Sequence, residues 1–318
     1  MRKSKNSEKV ILNSWFNTQK AKIIIIRTLK FCFYVTAITI KTFWYIFQRV
    51  FLLWFLIFLT IWLAWWLSLK PSLYKDWSTD QSKLAQISFS WNIVSIKDIR
   101  NFRYKTTEEY SISYYDKDYD TDKIESAYYI IEPFSSMDWP AHTMLTFWFS
   151  TWSYITVSAE IRKEKWEKFD PISWILNQYE IAYMIWDEKD LIALRANYRN
   201  DKVIMYPVKA SKEDIKALFI SMMHRADKLS KEPEFYNTIW NTCMTNILLH
   251  VNSLKKEKIG WNSKILLPSH SDDIAYSLWL LDTQLPLYLA REYYTINELS
   301  IKAINDPLYS EKIRKPIK

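Results

Sequence analysis

An uncharged apolar stretch near the amino terminus sets the strongest limit on what this chain can fold into. Its sequence is VFLLWFLIFLTIWLAWWLSL, residues 50–69, and its only polar side chains are Thr60 and Ser68. Twenty such residues in an α-helix rise about 30 Å, which is the thickness of the hydrocarbon core of a bilayer. The stretch therefore predicts a transmembrane helix, and residues 70–88 after it are expected to form a linker.

The distribution of charge predicts how this helix is oriented. Residues 1–49 contain ten Lys and Arg and one acidic residue, Glu8, whereas the other 269 residues carry 33 basic and 34 acidic groups. Basic residues collect on the cytoplasmic side of a span, so the amino terminus is expected in the cytoplasm and the main domain outside the cell membrane. Residues 23–47 are apolar but interrupted by charges, which predicts an interfacial amphipathic helix, with a second span as the alternative. The nearly neutral remainder gives no reason to expect nucleic acid as a partner.

The chain is very poor in glycine and very rich in tryptophan. It contains one glycine and seventeen tryptophans in 318 residues, whereas average glycine usage would give roughly twenty glycines. Several tryptophans, including Trp139, Trp152 and Trp186, stand in segments where turn chemistry favours a residue that tolerates positive φ. We interpret many of them as glycines encoded by UGA in a lineage that assigns this codon to glycine; the alternative is a protein that is truly rich in tryptophan. No functional role is therefore assigned to any tryptophan.

The clearest local unit outside the membrane is the segment AHTMLTFWFSTWSYITVSAEIR, residues 141–162. Apolar and polar residues alternate on both sides of residues 150–152, which predicts a β-hairpin with one buried and one polar face. A three-residue loop would end in a left-handed residue at position 152. With that loop His142 stands opposite Glu160, within reach of a carboxylate–imidazole hydrogen bond.

A candidate nucleophile, Cys243, follows in the segment NTIWNTCMTNILLH. Asn241 or Thr242 is suited to cap a helix at this point, so Cys243 is expected in the first turn. The positive end of the helix dipole lowers the pKa of a thiol there, and the free N–H groups can stabilise an oxyanion. Cys32 lies at or inside the membrane, so no intrachain disulfide is expected. The alternative interpretation of Cys243 is a small buried hydrophobic residue.

The other histidines are weaker candidates for the base. His250 lies seven residues from Cys243 on the same predicted helix, about 10 Å along its axis, which is too far to take its proton. His224 is expected to pack or to lie at the surface of a helix, and His270 is the backup base. No group of His, Cys and carboxylate residues has the spacing of a metal site, so neither a metal nor a cofactor is expected.

The order of the predicted elements indicates the fold class of the part outside the membrane. Strands come first and helices later, which predicts an α+β domain over residues 89–300. Residues 301–318, which end in YSEKIRKPIK, are predicted to form a basic tail.

Six segments between about residues 90 and 282 together resemble the Lnb N-terminal periplasmic domain family. In chain order they are IRNFRY, PAHTMLTF, VSAEIRKEKW, YEIAYMIWDEKDLIALRANYR, EFYNTIWNTCMTN and LLPSHSDDIAYSLWLL. Thr242 stands where the resemblance implies a second asparagine before the cysteine. Seven tryptophans stand where the resemblance implies glycine: Trp91, Trp139, Trp148, Trp152, Trp166, Trp186 and Trp279.

The family is similar to circularly permuted papain-like and NlpC-type thiol enzymes, in which the histidine precedes the cysteine in the chain. The resemblance implies that Cys243 is the nucleophile, His142 the base and Glu160 the residue that orients the base. It also implies a permuted papain-like α+β fold. The residues that the resemblance suggests for substrate binding are Arg100, Arg103, Arg162 and Asn241.

The function implied by the resemblance is a membrane-anchored thiol acyltransferase or hydrolase that acts on lipoprotein or lipid acyl groups. The namesake of the family is implicated in N-acylation of bacterial lipoproteins and has a multi-span portion after its periplasmic domain. The expected partners are therefore membrane lipids or lipoproteins and a membrane protein that supplies this multi-span portion. The alternatives are a cell-wall peptidase or amidase of the same fold, and a non-catalytic membrane-tethered binding module.

Overall fold

A computed structural model describes residues 2–134, 141–167, 178–262, 265 and 268–318, with side chains described from residue 18 onwards. The chain divides into two compact units, Met1–Leu69 and Lys70–Lys318. The first unit is a helix, and the second contains a large β-sheet with helices packed on it.

The first unit consists of helix α1, which runs from Arg2 to Ser68 without interruption. Its segment Thr18–Ser68 is, within the described part of the chain, the one helix long and apolar enough to cross a membrane. The predicted span, residues 50–69, lies almost entirely inside this helix. Residues 23–47, predicted as a separate interfacial helix, continue in the same helix, because no helix-breaking residue separates them from the span. Large apolar side chains are exposed throughout this region.

The second unit is built around a nine-stranded sheet. Seven strands follow the order β1-β2-β9-β8-β7-β6-β10, while β5 pairs with β2 and β11 pairs with β9. Strands β3 and β4 form a separate ribbon, and every pairing is antiparallel except that of β2 with β9. The strands are β1 Gln86–Ser90, β2 Ile93–Arg100, β3 Arg103–Tyr104, β4 Tyr110–Ser111, β5 Tyr114–Asp120, β6 Ile124–Pro133, β7 Ala141–Phe149, β8 Ser153–Arg162, β9 Glu180–Asp187, β10 Ile204–Pro207 and β11 Glu234–Phe235.

Helices follow the main strands, as the α+β prediction requires. The α-helices are α2 Glu188–Ala193, α3 Lys212–Lys231, α4 Cys243–Leu254, α5 Ser271–Ser277, α6 Leu287–Tyr293, α7 Asn297–Ala303 and α8 Tyr309–Lys312. A π-helix, Leu194–Arg199, continues α2, and short 3-10 helices occupy Thr79–Gln81, Thr121–Lys123 and Pro268–His270. Helix α3 begins at Lys212 because the side chain of Ser211, its N-cap residue, accepts a hydrogen bond from the Asp214 N–H at 3.1 Å.

The predicted hairpin is present with the predicted register. Strands β7 and β8 are joined by residues 150–152, and Phe149 pairs with Ser153 while Met144 pairs with Ser158. Trp152, the last loop residue, has a left-handed backbone with φ of 57°. The local pattern of alternation and the loop length were therefore sufficient to predict this pairing.

Both faces of the hairpin are buried, which corrects the prediction of one polar face. Leu145 and Phe147 belong to a core that also contains residues of α3 and α4, whereas Met144 belongs to a second core with residues of α2 and the π-helix. Thr146 and Ser158, on the predicted polar face, are 0% exposed. Alternation was correct, but polar side chains on a covered face find buried partners instead of water.

Segments predicted to lie outside the domain pack into it. Trp77 and Ala85, in the predicted linker, are buried, and β1 begins at Gln86. In the predicted basic tail, Tyr309 and Ile313 are buried in the second core. The folded unit therefore extends beyond residues 89–300 at both ends.

Three tryptophans have the left-handed backbone expected of glycine. The φ angles of Trp91, Trp152 and Trp279 are 54°, 57° and 56°. The other described residues with positive φ are Asp98 and Asn200, which are types that tolerate this conformation, whereas a bulky side chain does not. These three positions support the glycine interpretation. Of the other four positions, Trp148 and Trp186 lie in strands, Trp166 lies in a turn, and Trp139 lies outside the described residues.

Candidate active site

Cys243 is the first residue of helix α4, as predicted. Thr242 is the N-cap: its hydroxyl accepts from the Thr245 N–H at 3.1 Å, and the Thr245 hydroxyl accepts from the Thr242 N–H at 2.7 Å. This reciprocal capping box explains why the helix begins here, with Thr242 able to replace the expected asparagine. The thiol therefore lies in the first turn, where the leading N–H groups of a helix have no intrahelical acceptor.

His142 and Glu160 face each other across the hairpin. The Nε2 atom of His142 lies 3.1 Å from Oε1 of Glu160 and 2.5 Å from Oγ of Ser158. The Ser158 hydroxyl donates to the same Glu160 oxygen at 2.7 Å. An Nε2–H of His142 can therefore be shared between the carboxylate and the hydroxyl, which fixes the plane of the imidazole. Ser158 was not predicted as a site residue, although it shares a face of β8 with Glu160.

The thiol of Cys243 interacts with the imidazole of His142, and both residues are buried, at 4% and 8% exposure. Burial raises the pKa of the thiol, but the charge and hydrogen bond of His142, with hydrogen bonds to Thr143, outweigh burial and hold the pKa of Cys243 below its ordinary value of 9.0. Burial lowers the pKa of His142, but Glu160 and Cys243 raise it to about 10. Mutual stabilisation of this kind favours a thiolate–imidazolium pair.

Arg195 fixes the carboxylate from the other side. Its Nη2 donates to Oε1 of Glu160 at 2.8 Å, and its Nε donates to Oε2 of Glu132 at 2.5 Å. Burial would raise the pKa of Glu160, but His142 and Arg195 together hold that pKa well below its ordinary range. Sequence reasoning missed both Arg195 and Glu132. Strand register was the usable signal for Glu132, which pairs with His142 between β6 and β7, whereas no local pattern marks Arg195.

Two of the arginines proposed for substrate binding have internal partners. Arg100 is 1% exposed, and its Nε lies 3.3 Å from Oδ2 of Asp190. Arg162 donates from Nε to the Gln81 carbonyl at 3.0 Å. Arg103 keeps 44% of its side chain exposed. The role of the three arginines in binding substrate stays a prediction.

Asn241 holds the loop that precedes the thiol. Its amide donates to the Phe235 carbonyl at 2.8 Å, and its carbonyl accepts from the Asn246 amide at 2.8 Å. These bonds connect β11 to the first turn of α4, so Asn241 has a structural role beside its predicted role in substrate binding.

The remaining histidines each have a different partner. His250 bonds to the Tyr183 hydroxyl at 2.8 Å, and burial lowers its pKa to about 4. His224 stacks on Phe89 with ring centroids 4.0 Å apart. His270, the predicted backup base, has a half-exposed side chain on a 3-10 helix. Among the residues whose placement is described, no three His, Cys, Asp or Glu side chains are grouped to hold a metal ion.

An apolar cavity of about 250 Å³ adjoins the helix that carries the thiol. Helix α4 contributes Met244, Ile247 and Leu248 to its wall, and the sheet contributes Tyr129 and Leu145. Ile247, Tyr129 and Leu145 belong to the same core as Cys243. The cavity and the thiol therefore share one side of the sheet.

The sequence matches the model of the Lnb N-terminal periplasmic domain over residues 110–273, just over half of the chain. No curated protein and no solved structure matches the chain. The matched region includes His142, Glu160 and Cys243. A periplasmic domain together with an exposed apolar helix indicates a membrane-anchored protein. The chain belongs to the Lnb N-terminal periplasmic domain family.

Proposed function

We propose that this protein is a cysteine-dependent acyltransferase or hydrolase whose domain lies outside the cytoplasm. The observation that carries the proposal is the arrangement of Cys243, His142 and Glu160. A helix-terminal thiol, an imidazole and a carboxylate that orients the imidazole are the parts of a papain-like acyl-transfer site. Their order in the chain, with the histidine first, also agrees with a circularly permuted papain-like fold.

In the first step, the Cys243 thiolate attacks the carbonyl carbon of an ester or amide. A carbon–sulfur bond forms, and the carbonyl oxygen becomes an oxyanion that the leading N–H groups of α4 can stabilise. When the tetrahedral intermediate collapses, the bond to the leaving oxygen or nitrogen breaks. The leaving group takes the proton held by the His142 imidazolium, and the acyl group remains on sulfur as a thioester.

In the second step, an amine or a water molecule attacks the thioester. His142, now neutral, accepts the proton of this nucleophile, and the carbon–sulfur bond breaks to restore the thiolate–imidazolium pair. An amine acceptor makes the enzyme a transferase, and water makes it a hydrolase. Glu160 keeps the imidazole in one orientation throughout and stabilises its charged form.

Two other functions predict different chemistry at the same site. A cell-wall peptidase or amidase of this fold would form the thioester from a peptide amide. A non-catalytic tethered module would retain the fold, and its thiol would titrate near the ordinary value of about 8.5 and react slowly with iodoacetamide.

The proposal is tested by alkylating the full-length protein with iodoacetamide over a range of pH. We expect rapid reaction at Cys243 at neutral pH, and slow reaction in the His142→Ala variant. Cys32 serves as an internal control, because it lies on the apolar helix and residues 1–69 contain no histidine. Equal rates for Cys243 in the wild type and in His142→Ala would contradict the proposal. Trapping the thioester and measuring the mass of the attached group by mass spectrometry then shows whether the substrate supplies a fatty acyl or a peptidyl group.

A further inference from the structure

A chain of buried hydrogen bonds, separate from the pair of His142 and Glu160, ends at the peptide bond between Thr242 and Cys243. We propose that Asn246 is a positioning residue, whose side-chain amide fixes this peptide so that the Cys243 N–H is held ready for the oxyanion. This role rests on the proposed function, and it identifies both the N–H group that acts and the side chain that holds it.

The direction of the Cys243 N–H is set by the carbonyl group of Thr242. The peptide unit that joins the two residues is planar and trans, so its C=O and N–H groups point in opposite directions. The capping box takes up the N–H of Thr245, and the first helical bond takes up that of Asn246. The Cys243 N–H has no intrahelical acceptor and belongs to the nucleophile itself. A rotation of the peptide would turn this donor away from a carbonyl group bonded to the sulfur.

Asn246 holds the Thr242 carbonyl with two donors. Its backbone N–H donates to this oxygen at 3.1 Å, and its side-chain Nδ2 donates to the same oxygen at 2.8 Å. The Thr245 hydroxyl adds a contact at 3.2 Å. A helix by itself supplies only the backbone bond at this position. The side-chain bond is therefore an additional restraint on the peptide that carries the Cys243 N–H.

The partners of the Asn246 amide allow it only one orientation. Its Oδ1 accepts from the Tyr183 hydroxyl at 3.2 Å and from Nε of Arg225 at 3.4 Å, and a guanidinium can only donate. Its Nδ2 donates to oxygen atoms of Asn241 and Thr242. A reversed amide would place donor against donor and acceptor against acceptor. The side chain is 3% exposed, so water cannot replace these bonds.

The hydrogen bonds behind Asn246 all run in one direction. Because Tyr183 donates to Asn246, the Tyr183 oxygen accepts from Nε2–H of His250 at 2.8 Å. Burial lowers the pKa of His250 to about 4, so its ring is neutral and its Nδ1 accepts from the Ser221 hydroxyl at 2.8 Å. Aligned hydrogen bonds polarise one another, and a polarised carbonyl makes the N–H of its own peptide a stronger donor. The chain therefore both orients and strengthens the Cys243 N–H.

The test compares two reactions of Cys243 in the full-length protein, each followed by the mass of the peptide that contains this residue. In acylation by p-nitrophenyl acetate, the sulfur bonds to the carbonyl carbon, an oxyanion forms, and the ester C–O bond then breaks to release p-nitrophenolate. Alkylation by iodoacetamide displaces iodide at a saturated carbon and forms no oxyanion. We expect Asn246→Leu to slow acylation about tenfold, because a donor that is no longer held loses part of the hundredfold or more that an oxyanion donor supplies. Alkylation should be unchanged, since the substitution alters no charge.

Asn252→Leu is the matched control. Asn252 lies on the same helix, and its amide also bonds to the backbone, donating to the Ile259 carbonyl at 3.0 Å and accepting from the Ile259 N–H at 2.7 Å. Both reactions should keep their rates in this variant. Acylation that is unchanged in Asn246→Leu, or equally slowed in Asn252→Leu, would overturn the inference and leave the thiol chemistry intact. Slow alkylation of the wild type would instead contradict the proposed function and, with it, this role of Asn246.

A second variant decides if Asn246→Leu also loses alkylation and is therefore misfolded. Tyr183→Phe removes one hydroxyl group from the chain and leaves the Asn246 amide able to bond to Thr242. We expect acylation to slow about threefold, which corresponds to one neutral hydrogen bond, and alkylation to be unchanged. Equal acylation rates in Tyr183→Phe and the wild type would overturn the inference.

Discussion

At the scale of single residues, one oxygen atom organises the site. Oε1 of Glu160 accepts hydrogen bonds from the His142 imidazole, the Ser158 hydroxyl and the Arg195 guanidinium, at 3.1, 2.7 and 2.8 Å. The three donors come from different elements, so the carboxylate cannot turn without breaking bonds to all of them. The buried carboxylate raises the pKa of His142, and the charge of the imidazolium in turn lowers the pKa of the Cys243 thiol.

Removing the charge of Glu160 should therefore raise the pKa of the Cys243 thiol. In Glu160→Gln, the group that raises the pKa of His142 is neutral, so less imidazolium is present to stabilise the thiolate. We expect the pH midpoint of Cys243 alkylation to rise by about one unit and the rate at neutral pH to fall about tenfold. Ser158→Ala keeps the charge and should change the midpoint less. An unchanged midpoint in Glu160→Gln would mean that the carboxylate does not control the thiol.

The left-handed tryptophans make a second prediction at this scale. Trp152 is 68% exposed, so Trp152→Gly removes little packing and relieves the backbone strain of a bulky residue at positive φ. We expect the free energy of unfolding in urea to rise by about 0.5–1 kcal/mol. Trp166→Gly is the control, because this exposed tryptophan does not have positive φ, and it should be neutral or destabilising.

Mass spectrometry of the protein from its native source tests the same interpretation directly. Peptides that span positions 139, 152 and 186 should contain glycine there. Tryptophan at these positions would end the recoding hypothesis, and the left-handed residues would then be strained.

At the scale of elements, the π-helix is the structure that brings Arg195 into the site. π-Helices are rare and are often found at functional sites, because the wider turn displaces side chains from the normal helical positions. Here the segment Leu194–Arg199 follows α2 directly and contributes Arg195, which is 2% exposed and lies between Glu132 and Glu160.

Removing Arg195 should destabilise the domain strongly. Arg195→Met leaves two buried carboxylates without their common cation, so we expect a loss of about 3–5 kcal/mol in the free energy of unfolding. Arg103→Met is a matched control, since Arg103 also pairs with an aspartate, Asp187 at 3.3 Å, but on the surface. There we expect a change of about 0–1 kcal/mol. Similar losses in the two variants would show that the buried cluster is not held by Arg195.

The parts of the fold and site that the sequence could predict are those set by local spacing. Alternation and loop length predicted the hairpin and placed His142 opposite Glu160. The capping residues predicted that Cys243 lies in the first turn of a helix. Arg195 and Glu132 could not be found in this way, because they are 63 positions apart in the chain. Their contact depends on a strand register and a π-helix that no short pattern specifies.

At the scale of the whole molecule, the domain has its own cores and the apolar helix stands as a separate unit. A chain that begins at Lys70 should therefore remain soluble, unfold cooperatively and show the same rate of Cys243 alkylation as the full-length protein. The full-length protein should stay with membranes after an alkaline wash, because the apolar surface of its helix is stable in the hydrocarbon core of a bilayer and not in water. Aggregation of the shortened chain without detergent would show that the domain needs the helix to fold.

The ion pair between Glu188 and Arg314 has a consequence for the order in which the molecule matures. Arg314 lies 2.7 Å from Glu188, and 126 positions separate the two residues. Glu188 in turn accepts from Thr146, on the strand that carries His142. During synthesis from the amino terminus, this strand is made long before the cation that neutralises the carboxylate beside it. An incomplete chain therefore lacks the cation that pairs with a carboxylate bonded to the strand of His142, and this contact can form only after the last residues have been made.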